Sequence, residues 1–523
     1  MNGSAFTIRM GAALWQRVRD HHLAPDKRIE ALSYAWARCE RVLGGWVVLL
    51  PADSPWFAFQ PDCYENQAGG NVRLRPDVLN GMLIAFAGSG YNCLVNIHDH
   101  WFADQGVFSS VDDEDDVRFD RYLRQRFEPM LAAHPEIGAS RPIYNLSLVL
   151  GKRATGARVL VPQGRCTPIS SMTISDERWN EAALSSAHPA SGMAHAPVHA
   201  RHRTFIDAGA QNTLGLLKVA IVGCGGLGSI LAESLGRLGI RHFRLIDDDR
   251  LDLSNLNRWQ GARPVDVGIH KSRLLGRAMR RQFPDCAVRP LVRALDHPHS
   301  VAAIAGSDVV FGCLDNDAAR WYLNHIAVQF MVPYFDAGVS IVAGPPVELS
   351  TRYFAVLPQA TGCLDCKGVE LVDPEAVLAA FLSPQTTTER RNAGYVSDLP
   401  RVPAPSAYVL NQRAAGLMAT EFCNFVTGWR KTATVAYEHW NAGATCRLDR
   451  DTFPERPLAG CPVCGVRTGR GYSLDLPHRP NTVHVDPADL PTIATPDGCP
   501  TIAAIQDTPP LQENALWPNA NPS

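Results

Sequence analysis

The chain has 523 residues, which is enough for two to four domains of roughly 100–200 residues each. Its 50 basic and 52 acidic residues nearly cancel, and this excludes a general attraction to nucleic acid or to an anionic membrane. The N-terminus lacks the apolar run of a signal peptide, and no stretch reaches the roughly 18 apolar residues of a membrane span. We therefore expect a cytoplasmic protein, in which C-x-x-C pairs indicate metal ligands before disulfides.

Residues 1–162 carry the patterns of a mixed α/β domain. The chain begins with a predicted helix at about 11–22 and an apolar segment at 29–42. Hydrophobic periodicity then predicts a strand in WVVLLP, a helix at 77–87, a strand in YNCLVNIHDH, a helix near 120–133 and a strand in YNLSLVLG.

The next segment, 163–200, is rich in Ala, Ser, Pro and His without periodicity, and this predicts a linker. From about residue 213, apolar strands alternate with helical stretches. KVAIVG, HFRLIDDD, DVVFGCLD and PYFDAGVS are nearly continuous apolar runs, as expected for parallel strands buried on both faces. Residues 476–523 are Pro-rich, and this predicts a poorly ordered tail.

The turn after KVAIVG is rich in glycine and opens a helix. Gly223, Gly225 and Gly228 fit G-x-G-x-x-G, Gly226 lies between them, and Asp247 ends the next strand. Such a turn lets the backbone approach a phosphate at a helix N-terminus, and the acidic residue suits a ribose. Taken alone, the turn fits an NAD or FAD oxidoreductase equally well.

The sequence after this turn resembles the ThiF/MoeB family, which includes the adenylating half of ubiquitin-activating enzymes. The resemblance spans about 201–475 and rests on LIDDDRLDLSNLNRWQ, VGIHKSRL, VVFGCLDNDAARWYLN and PYFDAGVS in that order. It implies a Rossmann-like domain with a mostly parallel sheet, ATP and Mg²⁺, and a homodimer. The implied reaction joins the C-terminal carboxylate of a ubiquitin-like or sulfur-carrier protein to the α-phosphorus of ATP and releases pyrophosphate.

The same resemblance implies individual roles. Asp247 would bind the ribose, and Asp315, in CLDN, would hold Mg²⁺, which prefers carboxylate oxygen. Asn255, Arg258 and Lys271 would face the triphosphate, where fixed cations stabilise charge that develops during attack.

Two further features of the family have uncertain counterparts in this sequence. An arginine before the first strand should reach the partner subunit's nucleotide, and both Arg201 and Arg203 are candidates. Thioester-forming members carry a reactive cysteine after the first C-x-x-C pair, but residues 367–422 contain none. Cys423 lies in an apolar helix and is expected in the core, and Cys446 is the other possibility. The activity is therefore expected to stop at the adenylate.

Two C-x-x-C pairs lie in the C-terminal half, Cys363 with Cys366 and Cys461 with Cys464. Four thiolates can bind one tetrahedral zinc ion, and the position of the pairs coincides with the family's structural zinc. A redox C-x-x-C would need only one pair.

The N-terminal domain holds VNIHDHWFADQGVFSSVDDEDD. His98 and His100 are two apart on a strand and so share a face, and Ser109 and Asp112 follow. Two His and one carboxylate leave an open position on zinc, as in catalytic sites. The H-x-H pair alone favours two surface histidines beside an acidic loop.

The whole string resembles the JAMM metalloisopeptidase motif of MPN (JAB) domains, H-x-H followed by S-x-x-D, although Trp101 replaces the usual proline. The resemblance implies a catalytic zinc at the two His and Asp112. It also implies a general base, Glu30 with Glu40 as the alternative, and an oxyanion contact from Ser109.

Together, these patterns predict an α/β protein with an MPN-like domain at 1–162 and a ThiF/MoeB-like domain at 201–475. One half would trim or deconjugate a carrier that ends in glycine, and the other would adenylate it; a conjugating enzyme is a further candidate partner. The alternatives are sulfur-carrier activation with the N-terminal domain acting only as a binding module, and a nicotinamide or flavin oxidoreductase.

Overall fold

The computed structural model describes residues 5–68, 71–129, 143–161, 165–185, 197–342, 347–367, 406–440, 447–449 and 456–473. These residues fall into two compact units. The first contains the described residues up to 174 together with 181–185, and the second contains 175–180 and the residues from 197 onward.

The first unit is a mixed α/β domain, as the sequence predicts. Its helices are α1 Ala12–His22, α2 Pro76–Gly88 and α3 Ser110–Tyr122, the last extended by a π turn at Leu123–Phe127. Its strands are β1 Ala5–Gly11, β2 Leu32–Val42, β3 Gly45–Leu50, β4 Trp56–Ala58, β5 Tyr64–Ala68, β6 Asn71–Leu74, β7 Cys93–Asp99, β8 Tyr144–Leu150, β9 Thr155–Val161 and β10 Arg165–Ser175.

Eight of these strands form one sheet in the order β3-β1-β10-β9-β8-β7-β2-β4. Because β2 also pairs with β3, the sheet curls back on itself into a ring. Both faces of β2 are buried: Ala35 and Ala37 lie in a core with α1, whereas Tyr34 and Trp36 lie in a second core with α2. This double burial explains why 29–42 reads as one apolar segment rather than as an alternating strand.

The strand β7 lies in the middle of this sheet. It pairs in parallel with β8 and antiparallel with β2, where Leu32 is opposite His98. The side chains at the carboxyl end of β7 therefore lie beside the start of β2 and the loop before it.

The second unit is also α/β. Its helices are α4 Ala208–Leu216, α5 Gly226–Leu238, α6 Lys271–Gln282, α7 Pro298–Ala305, α8 Asp317–Gln329, α9 Tyr408–Thr427 and the short α10 Cys464–Arg467. Its strands are β11 Lys218–Val222, β12 His242–Ile246, β13 Ala287–Leu291, β14 Val309–Gly312, β15 Tyr334–Val342, β16 Glu348–Val356, β17 Val435–Trp440 and β18 Arg447–Asp449.

The strand order is β13-β12-β11-β14-β15-β16-β17-β18. The first five strands are parallel to one another, and the last three continue antiparallel. Strand order reverses between β11 and β14, and ligands of open α/β sheets bind at the carboxyl ends of strands at such a point. The predicted Rossmann-like sheet is thus present, with an antiparallel extension.

Some elements differ from the sequence predictions. The helix expected near 120–133 begins at Ser110, because Ser109 and Asp112 form a capping box that starts a helix through the acidic run. Within the expected linker, Arg165–Ser175 is strand β10, which pairs with β9. Its apolar face is short, and only pairing with distant strands reveals it. The expected tail, 476–523, lies outside the described residues.

Two other expectations can be compared with the structure. Cys423 of α9 is buried in the core of the second unit. Among the described residues, no helix combines the length and apolar character needed to cross a bilayer.

Candidate functional sites

The glycine-rich turn of the second unit connects β11 to α5. Gly223 has φ +91°, and a Cβ there would lie 2.4 Å from the carbonyl oxygen of Cys313. A Cβ on Gly228 would lie 2.0 Å from the carbonyl oxygen of Gly223. Larger residues would therefore push the turn away from β14 and from α5. The N–H groups at the start of α5 are left at the sheet edge, where they can bind phosphate.

Asp247 lies directly after β12, next to this turn. Its Oδ2 accepts the N–H of Cys224 at 2.7 Å and its Oδ1 accepts the N–H of Asp249 at 2.8 Å. Burial raises the pKa of Asp247 to about 6, although Lys271 and the two N–H groups act in the opposite direction. The carboxylate is thus fixed in place and keeps lone pairs for a hydroxyl ligand.

Two of the predicted cations lie nearby. Lys271 begins α6 and its Nζ donates to Asp249 at 2.7 Å. Burial lowers its pKa, but the carboxylates of Asp247, Asp249 and Asp315 outweigh burial and raise it. Arg258 has its Cγ 3.1 Å from where a Cβ on Gly226 would stand, so its side chain lies against the turn.

The remaining predicted residues of this site are placed as follows. Asn255 ends a short turn, where its Oδ1 accepts the N–H of Asp252 at 3.0 Å. Asp315 is exposed just after β14, and its neighbour Asn316 caps α8. Gly225 is the N-cap of α5. Arg203 is exposed between a 3₁₀ turn at Pro197–His202 and α4.

Several residues of this site are not evident from the sequence motifs. Trp259 donates its Nε1–H to the carbonyl of Cys224 at 2.8 Å and so fixes the turn. Asn411, on α9, lies with Nδ2 2.5 Å from where a Cβ on Gly226 would stand. Trp259 directly follows Arg258 in the motif, but Asn411 lies some 180 residues from the turn and gives no local signal.

A buried ion network supports the loop that carries Asp315. The guanidinium of Arg320 donates to Asp336 at 2.9 Å and to Asp317 at 3.0 Å, and it also donates to the carbonyl of Leu314. Arg352 also pairs with Asp317. The carboxyl end of β14 is therefore held by side chains from α8, β15 and β16.

The four cysteines of the C-x-x-C pairs come together. The Sγ of Cys363 lies 3.9 Å from that of Cys366 and 3.7 Å from that of Cys461, and Cys366 lies 3.4 Å from Cys464. Thiolates about 2.3 Å from a tetrahedral zinc ion lie about 3.8 Å apart, so the spacing fits zinc. Lys367 is fully buried beside them and donates to the carbonyl of Gly362.

A second group of metal-binding residues lies at the carboxyl end of β7. The Nε2 of His98 is 3.1 Å from Oδ1 of Asp112, and the Nε2 of His100 is 3.8 Å from Oδ2. The Nε2 of His98 is buried, and the carboxylate of Asp112 is the group that it faces. Nitrogen and oxygen ligands about 2.0–2.1 Å from tetrahedral zinc lie about 3.4 Å apart, so these atoms also fit zinc.

The start of α3 holds Asp112 in place. The backbone N–H of Ser109 donates to Oδ2 of Asp112 at 2.6 Å, and Oγ of Ser109 accepts the N–H of Asp112 at 3.2 Å. Arg158, on β9, donates to the carbonyl of Asp112 at 3.1 Å and to the carboxylate of Asp116 at 2.6 and 2.8 Å. Ser109 thus caps the helix, and Arg158 holds its first turn against the sheet.

Glu30 lies in the loop before β2 and lines an open cavity together with His98 and Asp112. Burial raises the pKa of Glu30, while the charge of His98 lowers it. The alternative, Glu40, pairs with Arg38 at 3.0 Å and does not line the cavity. The cavity also has an apolar wall, formed by Leu32, Val72, Leu74, Leu79, Val111 and Phe119.

A match to a protein family falls within the second unit. The model of the ThiF family matches residues 199–462. The molybdopterin-synthase adenylyltransferase of Escherichia coli is 34% identical over 260 residues, which cover 50% of this chain and 91% of that protein.

Two further relatives match over shorter regions. The SAMP-activating enzyme E1 of Haloferax volcanii is 29% identical over 34% of this chain and 64% of its own length. The adenylyltransferase and sulfurtransferase UBA4 of Yarrowia lipolytica is 34% identical over 23% of this chain and 30% of its own length. The chain thus spans less than two thirds of these two proteins. With a family model that matches half of its residues, and a bacterial relative covered almost completely, this chain belongs to the ThiF family.

Proposed function

We propose that the second unit uses ATP to adenylate the C-terminal carboxylate of a ubiquitin-like or sulfur-carrier protein that ends in glycine. The observation that carries this proposal is the convergence of the glycine-rich turn, Asp247, Arg258 and Lys271 at the carboxyl ends of β11 and β12. The names of the relatives support the same substrate class, since they describe molybdopterin-synthase adenylylation and SAMP activation.

In this proposal, the N–H groups of the turn and of α5 bind the phosphates, and Asp247 accepts from the ribose. A carboxylate oxygen of the carrier forms a bond to the α-phosphorus, while the bond from that phosphorus to pyrophosphate breaks. Arg258 and Lys271 stabilise the negative charge that develops on the transferred and leaving phosphates. Asp315 would hold Mg²⁺, which adds positive charge next to the leaving group. No thiol step is included, because residues 367–422 contain no cysteine and Cys423 is buried; Cys446 lies outside the described residues.

The test is ATP–pyrophosphate exchange with ubiquitin-fold proteins that end in Gly-Gly. We expect exchange with at least one such protein and none when both of its C-terminal glycines are deleted. Lys271→Met should reduce exchange at least 100-fold, the scale of losing a transition-state charge contact. Arg273→Met, an exposed change on the same helix, is the matched control. Equal exchange in Lys271→Met and wild type would refute the proposed role of Lys271.

We also propose that the first unit is a zinc-dependent peptidase acting on the same class of carrier. The support is the grouping of His98, His100 and Asp112, with Glu30 at the same cavity. When bound, zinc would polarise the scissile carbonyl and make water acidic near neutral pH. Glu30 accepts the proton of the attacking water and passes it to the leaving amine. The hydroxyl of Ser109 donates to the oxygen that becomes negative.

Elemental analysis of zinc tests both metal sites without a substrate. We expect about two zinc ions per wild-type chain and about one after His98→Ala/His100→Ala. His297→Ala/His299→Ala removes a second H-x-H pair, in the other unit, and should keep two. One zinc in every protein would refute the peptidase proposal and would leave the first unit as a carrier-binding module.

A further inference from the structure

The unassigned feature of the first unit is a buried polar cluster behind the proposed zinc site. Asp99 is the last residue of β7 and lies between His98 and His100 in the sequence, and its carboxylate is completely buried. A single oxygen, Oδ2, receives three groups: Lys27 Nζ at 2.5 Å, His22 Nδ1 at 2.8 Å and the backbone N–H of Ala31 at 3.1 Å. The cluster therefore connects β7 to α1 and to the loop before β2.

The protonation states in this cluster follow from its hydrogen bonds. Ser33 Oγ accepts the Nε1–H of Trp56 at 3.1 Å, so its own proton can go to His22 Nε2 at 2.7 Å. His22 then donates from Nδ1 to Asp99 and is neutral. Burial lowers the pKa of His22 to about 4, which agrees with a neutral ring. Lys27 is the counter-ion of Asp99.

Ser33, His22 and Asp99 have the connectivity of a hydrolytic triad, but they do not form a second active site. All three side chains are fully buried, and the hydroxyl of Ser33 is already occupied by Trp56. A nucleophile needs an accessible lone pair and room for a substrate carbonyl. We therefore consider the cluster as a structural support for the segments that it connects.

The neighbouring segment is the loop 23–31, which carries Glu30. The ladder between β2 and β7 ends at Leu32 opposite His98, so Glu30 and Ala31 lie beyond its last pair. In place of a ladder bond, the N–H of Ala31 donates to the side chain of Asp99. The carbonyl of Glu30 accepts from Gln67 at 3.1 Å. Glu30 is thus held by a side chain of β7 on one side and by β5 on the other.

We infer that Asp99 is a positioning residue, which fixes Glu30 relative to the histidines by tying loop 23–31 to the strand between those histidines. The importance of this tie for hydrolysis rests on the peptidase role proposed above, whereas the tie itself is a property of the fold. Because His98 and His100 are neighbours of Asp99 in sequence, one short segment carries both histidines and the carboxylate that holds the loop of Glu30.

The test is Asp99→Asn in the full chain, read by hydrogen exchange and by zinc content. Losing the charge on the acceptor should speed exchange at Ala31 and across loop 23–31 by about tenfold. The amides of β8 that pair with β7 should not change, and zinc per chain should equal wild type. With a carrier bearing a C-terminal fluorogenic amide, kcat should fall while KM stays unchanged.

Lys27→Met is the second variant, since it removes the counter-ion and leaves Asp99 in place; it should loosen the same loop. Asp104→Asn, in an exposed turn after β7, is the matched control and should change nothing. Unchanged exchange in loop 23–31, or faster exchange throughout β7 and β8 with loss of zinc, would overturn the inference. If the loop loosens but the protein binds no zinc at His98 and His100 and has no peptidase activity, only the peptidase proposal would be refuted.

Discussion

Arg158→Met is the perturbation whose cost can be worked out most directly from the structure. The guanidinium is bound at its edge and on one face: it donates two hydrogen bonds to Asp116, and its Cζ lies 3.6 Å from the centroid of the Phe108 ring. Asp116 is 5% exposed, and its other oxygen accepts from Ser147 at 2.6 Å. Methionine fills the space but leaves this carboxylate without a counter-ion.

The expected loss of stability has an upper bound. Breaking a buried ion pair from one side costs about 3–5 kcal/mol. The carboxylate can instead become neutral by binding a proton. At pH 7 this protonation costs about 4 kcal/mol for an unfolded-state pKa near 3.9. We therefore expect about 3–4 kcal/mol at pH 7. At pH 5, protonation costs only about 1.5 kcal/mol, and the loss should shrink accordingly.

The direction of this pH dependence follows from linkage. In wild type, burial already raises the pKa of Asp116, although Ser147 and Arg158 oppose the shift. Without Arg158 the folded-state pKa rises further above the unfolded value. Such a group destabilises the fold progressively as pH rises from about 4 to its folded pKa, so the variant regains stability on acidification.

The assay is urea-dependent hydrogen exchange of the full chain, read on amides of β8 and β9 at pH 7 and pH 5. Arg153→Met, whose partner Asp104 is 3.5 Å away on the surface, is the control and should change little. Asp116→Asn/Arg158→Met should remove the pH dependence. A loss below about 1 kcal/mol at pH 7, or a loss that is larger at pH 5, would refute the reasoning.

Three other predictions concern single side chains of the two sites. Ser109→Asn keeps a helix-capping acceptor but removes the hydroxyl, so stability should stay within a few tenths of a kcal/mol while peptidase kcat falls about 10²–10³-fold. Ser109→Ala should in addition lose about 1 kcal/mol of stability. A fully active Asn variant would contradict the oxyanion role. ATP affinity should rise with pH through about 6 as Asp247 ionises, and calorimetric titration of Asp247→Asn should show only the nucleotide's own pH dependence. Gly228→Ala should abolish ATP binding, because its methyl group would meet the carbonyl of Gly223 at 2.0 Å; wild-type affinity would show that the turn can move.

The sequence predicted most clearly the features that are encoded locally. The parallel strands are continuous apolar runs, and the glycine-rich turn follows the first of them, so sheet and turn could be placed without knowing the tertiary contacts. The close approach of Gly223 to Cys313 explains why this position of the turn requires glycine.

Features that depend on distant pairing could not be predicted. The ring closure between β2 and β3, and the strand β10, have no local signal beyond weak alternation. The start of α3 was misplaced because an acidic run has low helix propensity, while its capping box supplies the missing stabilisation. Arg158, Asp99 and Asn411 were missed because each acts on residues far away in sequence. The preference for Glu30 over Glu40 rests on family position and stays a prediction; in the structure Glu40 pairs with Arg38.

The buried amine of Lys367 lies beside the four cysteines, and its reactivity should depend on whether they hold a metal ion. Four thiolates and one zinc ion carry two net negative charges, and the ammonium of Lys367 is buried against them without exposure to water. Burial lowers the pKa of Lys367 to about 8, while the thiolates of Cys363, Cys366 and Cys464 act to raise it. Chelation would leave this amine without its anionic neighbours. Release of zinc and exposure of the segment around Lys367 to water should therefore occur together. Lys367 should then become reactive to acylating reagents at the moment the metal leaves, and a mass-tagged lysine label would report occupancy of the zinc site from inside the fold.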